Sequence, residues 1–238
     1  MDQHDWEANL RLGVGGPPLW RLRRATAVAT SIDFTAVGMA MSRDAVDVCE
    51  ADAADAVGFL LLMAGELLSA SARLLSVGEH YAGCALLRQI TEIEYLTWTI
   101  KEKHRSALDW LRSTHEERKK MFSPAVLRRT SKGRFLDKDY RDHCEQGGHP
   151  TARGVFLLGG RDEAAGQLFL VDLLTHSWRT WDQVAAWAPA SQRALVAVTQ
   201  KGRRVSWRLH DWGTQDPVYR LMVERHPDTA QGSRSDSK

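Results

Sequence analysis

The sequence predicts an all-α fold: a multi-helix bundle with an irregular N-terminal arm and a disordered C-terminal tail. Three observations carry this. Apolar residues recur at spacings of three and four, as in Val57, Leu60, Leu61, Ala64, Leu67 and Leu68, and again in Leu168, Val171, Leu174, Trp178 and Trp181. Helix breakers such as Gly78, Gly133 and Pro189 fall between those stretches. There is no sustained two-residue alternation and no internal repeat.

Residues 1–41 are punctuated by Gly13, Gly15, Gly16, Pro17 and Pro18, and are expected to form an arm with room for one helix. The main domain is expected over 42–226. Ser42 can cap a first long helix, whose small residues Gly58, Gly65, Ser69 and Ala72 let a neighbour approach closely. Gly78 ends it, a second helix covers about 79–103, and a third about 105–121. Ser123-Pro124 opens a short fourth helix, because proline suits the first helical position. Gly133 closes that helix, and Asp137 starts the one that leads into Gly147-Gly148. A glycine-containing loop follows, then a long helix over about 162–187 that Pro189 stops. Amphipathic segments at about 190–200 and 216–225 complete the domain, and the polar tail 227–238 is expected to be disordered.

Composition limits the function classes. A net charge of +2 over 238 residues gives no broad basic face for non-specific nucleic-acid binding. Local basic runs, including Arg21 to Arg24, read as solvated helix ends. Three widely spaced cysteines do not make a disulfide framework, and a reducing cytoplasm is expected. The apolar run at 57–65 falls short of a membrane span, and the acidic N-terminus is wrong for a secretory signal.

Two constellations can carry chemistry. On the second helix Tyr81, Cys84, Arg88, Glu92 and Tyr95 share a face, with Arg88 and Glu92 one turn apart in an otherwise apolar helix. A guanidinium there is either half of a structural salt bridge or a clamp for phosphate or carboxylate. The second constellation is Tyr140-Arg141-Asp142-His143-Cys144-Glu145 followed by Gly147-Gly148-His149. The glycine pair allows a turn that brings His149 back toward His143.

Three readings of this corner stand. One is zinc ligation by His143, Cys144 and His149, although the spacing matches no standard signature and adjacent side chains leave a helix on different sides. Another is acid/base chemistry by His143 or His149, with Arg88 or Arg141 steadying an anion. The third is a plain helix end. Asp172 and His176, one turn apart, can hydrogen-bond as local helix support. No Walker loop or nucleophile elbow is present, and no cofactor or metal is expected.

The pattern Gly83-x4-Arg88-x3-Glu92, with Tyr140-x2-His143-x5-His149, resembles a group of bacterial all-helical domains of unknown function. More distantly it resembles HEPN domains, helical bundles that often dimerise and in many cases cleave RNA without metal. The active members carry an Arg, four to six residues, and a His. Here seven residues separate Arg141 from His149 and the glycine pair lies among them, so the pattern departs from that motif. The resemblance implies a homodimer acting on RNA or a nucleotide, as a toxin or defence component. His143 or His149 would act as acid/base and Arg88 as anion clamp, with Glu92, Tyr140, Tyr81, Tyr95, Arg141 and Glu145 lining the site. The alternatives are a non-catalytic scaffold or regulatory subunit that oligomerises, and a metal-dependent hydrolase needing carboxylates near the imidazoles.

Overall fold

The computed structural model describes residues 16–42, 49–159 and 163–225. Four long helices make the bundle: α1 (Pro17–Met41), α2 (Ala53–Ser76), α3 (His80–Lys101) and α8 (Glu163–Trp187). Between α3 and α8 run the short helices α4 (Ala107–Arg112), α5 (His115–Met121), α6 (Pro124–Thr130) and α7 (Asp137–His143). A π-helical turn (Cys144–Gly148) and a 3-10 turn (Gly154–Leu157) follow α7. After α8 a 3-10 turn (Ala188–Ala190) leads to α9 (Gln192–Lys201), α10 (Arg203–Gln215) and α11 (Pro217–Arg225). No strand occurs among the described residues.

The arm expected over 1–41 is different in kind. Its first fifteen residues lie outside the described residues, but Pro17–Met41 is a core helix with Phe34, Val37 and Met41 fully buried. Helices α1 and α2 meet glycine to glycine: a Cβ on Gly58 would lie 2.9 Å from the Gly38 carbonyl oxygen. Side chains at that crossing would force the helices apart.

Ser42 does not cap α2. It closes α1, its hydroxyl donating to the Gly38 carbonyl at 2.9 Å. Asp52 and Asp55 start α2 instead, in a reciprocal capping box in which each carboxylate accepts a backbone N–H of the other's neighbourhood. The expected 105–121 helix is two, because Thr114 and Glu117 form a second capping box that restarts the chain after Ser113. The tail 227–238 lies outside the described residues.

Helix α2 is the centre of the core, packed between α1 and α3. It is also long and apolar enough to cross a membrane, with a mean hydropathy of 1.6. Its apolar face, including Leu60, Leu61, Leu68 and Leu75, is spent on those neighbours. Helices α9 and α10 cover α1, while α6, α7 and the π turn wrap the outer side of α3.

Helix α10 was not legible as an element, since only Val205, Leu209 and Trp212 of its larger side chains are deeply buried. The Arg21 to Arg24 run also hides an exception to the solvated reading. Arg23 is fully buried and forks onto Asp216 at 2.6 and 2.9 Å, with Gln167 accepting at 2.7 Å. Asp216 in turn accepts the Trp212 indole N–H and caps α11, so this ion pair locks α1 to the C-terminal helices.

Candidate functional site

The π turn determines how the candidate residues are arranged. It is closed by the His149 N–H on the Cys144 carbonyl at 3.0 Å. A Cβ on Gly147 would sit 2.5 Å from the Ala85 backbone nitrogen, and one on Gly148 2.5 Å from Arg88 Cδ. Neither glycine has a positive φ. The pair is thus needed for close approach to α3 rather than for turning the chain.

Pressed against α3, the corner splits the expected site into two clusters. In the outer one Arg88 donates to the Tyr140 hydroxyl at 2.9 Å and pairs with Glu92 at 2.9 Å, while Tyr140 donates to Glu92 at 3.0 Å. Arg88 also donates to the Gly148 carbonyl at 3.4 Å. The side chains of Arg88 and Glu92 keep 23% and 31% exposure, so the triad is half-buried. Burial pushes Tyr140 up to about 12; the Arg88 bond opposes this and the Glu92 charge adds to it. Burial works against the charged guanidinium of Arg88, but Tyr140 and Glu92 outweigh it and hold the proton more firmly than usual. The Arg128 guanidinium covers the Tyr140 ring at 4.0 Å.

His149, next along the chain from Gly148, is exposed, and its ring makes no hydrogen bond or ion pair among the described residues. The other candidates scatter. Tyr95 is buried against Phe135, ring centroids 4.1 Å apart, as part of a small core with Trp98 and Leu127. Tyr81 supports the Gly154 turn. Arg141 is exposed, and Glu145 pairs with Arg153 at 3.5 Å.

His143 leaves the expected grouping. It is buried, and its Nε2 lies 2.8 Å from Asp172 of α8. The other Asp172 oxygen is 3.3 Å from His176 Nε2, and His176 Nδ1 is 2.5 Å from Glu94 of α3. This inner cluster thus runs Glu94, His176, Asp172, His143, with the two rings edge to face at 5.1 Å. His143 Nδ1 is buried without a partner.

Burial opposes ionisation of Asp172, but the charges and hydrogen bonds of His143 and His176 prevail and hold its carboxyl far below the usual range. Burial likewise opposes the His176 imidazolium, and Asp172 and Glu94 reverse this, raising it to about 9. Nothing in the sequence around Glu94 marks it as a site residue, and the one-turn spacing of Asp172 and His176 by itself signals only local helix support. No short-range signal joins them to His143.

The expected hollow shared by Arg88 and both imidazoles is not formed: Arg88 and His143 belong to separate networks. A hollow of about 430 Å³ lies elsewhere, between α1 and α2 beside Thr35, Glu66 and Arg73. A crevice of about 10 Å³, room for one water, opens beside Glu94 between Arg134 and Arg179. Comparison with known protein families, with curated proteins and with solved structures finds no match for this chain.

Proposed function

We propose that the outer cluster is an anion-holding acid/base site and that the protein acts on RNA or a nucleotide, as a HEPN-like cytoplasmic toxin or defence component working as a homodimer. The observation that carries this is the bond from Arg88 to the Gly148 carbonyl, the peptide unit that bears the exposed, uncommitted imidazole of His149. A phosphate steadied by the guanidinium would lie beside an imidazole with a ring nitrogen free to take a proton. In this reading His149 takes the proton of an attacking hydroxyl as its oxygen bonds to phosphorus, the P–O bond to the leaving oxygen breaks and that oxygen takes a proton from water, Arg88 stabilises the charge gathering on the phosphoryl oxygens, and Tyr140 and Glu92 position Arg88. No metal takes part at the reacting atoms.

The second reading is a non-catalytic scaffold. Arg88 is already paired with both Glu92 and Tyr140, as a structural clamp would be. End-labelled RNA and nucleoside triphosphates, incubated with purified protein in chelator, separate the two. The catalytic reading expects turnover that falls about 10²–10⁴-fold in His149→Ala and Arg88→Ala with the melting temperature little changed. Equal turnover in His149→Ala and wild type, or none in either, returns the protein to the scaffold reading.

A further inference from the structure

We propose that His143, Asp172 and His176 bind one divalent transition-metal ion of the zinc class, a site independent of the outer cluster's proposed chemistry. Their donor atoms all lie within 4.8 Å of one another and come from two elements, the end of α7 and successive turns of α8. Zinc binds imidazole nitrogen and carboxylate oxygen at about 2.0–2.2 Å, so tetrahedral donors around it stand roughly 3.3–3.5 Å apart. His176 Nε2 lies 3.3 Å from Asp172 Oδ1 and His143 Nε2 2.8 Å from Asp172 Oδ2, so both imidazoles already face the one carboxylate, and an ion held by either or both of its oxygens needs only a small turn of the carboxyl and a few tenths of an ångström of opening on the His143 side.

The second, independent observation is the support behind the donors. Glu94, only 1% exposed, accepts from His176 Nδ1, which turns Nε2 toward the cluster, where an ion would take the place of the Nε2 proton. A carboxylate behind a ligating imidazole is the usual outer shell of a metal site, fixing tautomer and ring angle. Two imidazoles and one carboxylate suit zinc, cobalt or iron(II) better than calcium or magnesium, which prefer oxygen. A dication also balances the Asp172 and Glu94 carboxylates. Asp172 keeps 28% side-chain exposure against 8% for each imidazole, so entry and the remaining coordination positions lie on its side. Because His143 runs directly into the π turn, a bound ion would staple that turn, and with it the backbone leading to His149, to α8.

The test uses the full chain, stripped with a chelator and titrated with zinc chloride by calorimetry and with cobalt chloride by visible absorption. One saturable equivalent is expected, together with a zinc-dependent rise in melting temperature. Asp172→Asn and His176→Ala should each weaken zinc binding by at least about 100-fold, and Glu94→Gln by about 10–100-fold. His149→Ala should bind as wild type does, which separates this site from the outer one. Absence of saturable zinc binding by the folded, stripped protein overturns the proposal, as does binding that survives Asp172→Asn or His176→Ala unweakened. Should those two variants not fold, Glu94→Gln decides: an unchanged dissociation constant ends the idea.

Discussion

The two clusters against α3 are built from similar residues and held by different physics. The outer one pairs Arg88 with Glu92 a single turn away, half in solvent, so each charge retains water as an alternative partner. The inner one sets Glu94, two residues further on, against His176 across 82 residues of chain, with almost no water. An exposed pair can lose a member cheaply, whereas a buried one strands the survivor. Adjacent turns of one helix thus carry a replaceable salt bridge and an indispensable one.

The largest expected effect follows from that difference. Glu94→Ala, measured by urea unfolding in chelator, should destabilise the protein by about 3–5 kcal/mol, because the His176 charge is left buried beside one carboxylate instead of two. Gly147→Ala comes next. Its methyl would meet the Ala85 nitrogen at 2.5 Å, and backbone yields little, so about 2–3 kcal/mol is expected. Gly148→Ala meets only the flexible Arg88 side chain and should cost less than Gly147→Ala. Equal costs for the two glycines would show that the turn, not the contact with α3, demands them.

Local spacing carried what was legible beforehand. The three-four apolar rhythm exposed α2, α3 and α8, the small residues Gly58 and Gly65 marked the α1 crossing, and the one-turn pairs Arg88–Glu92 and Asp172–His176 could be read directly. What escaped was long-range. Nothing near Arg23 announces Asp216, 193 residues on, and nothing near Glu94 announces His176. Charged side chains buried by distant partners look, in sequence, like solvated ones. Helix α10 escaped for a related reason: a narrow apolar stripe of three large residues is diluted by arginines on its other faces.

Helix α8 supplies its own control for the inner cluster. Asp182 lies on the same helix as Asp172 with no imidazole against it; burial pushes its carboxyl up to about 6, with only the Trp178 hydrogen bond opposing. A folded-state value above the unfolded one means its contribution is fully present below about pH 4 and is lost as pH rises through about 6. Asp182→Asn should therefore stabilise the protein at pH 8 by about 1–2 kcal/mol and leave it unchanged at pH 4, as read from paired denaturation curves. A gain equal at both pH values would mean that the effect is packing and not charge.

The smallest effect is predicted where the functional claim is largest. In a double-mutant cycle on Arg88→Ala and Glu92→Ala, the coupling should be about 0.3–1 kcal/mol, since both side chains keep water contact. Tyr140 complicates this: its hydroxyl accepts from Arg88 and donates to Glu92, so either single change leaves it one partner. Running the cycle again in Tyr140→Phe removes that intermediary and should bring the coupling to the lower end of the range. A coupling of several kcal/mol in either background would place Arg88 among the indispensable charges, and a guanidinium so firmly held by its own helix has nothing left with which to grip a phosphate.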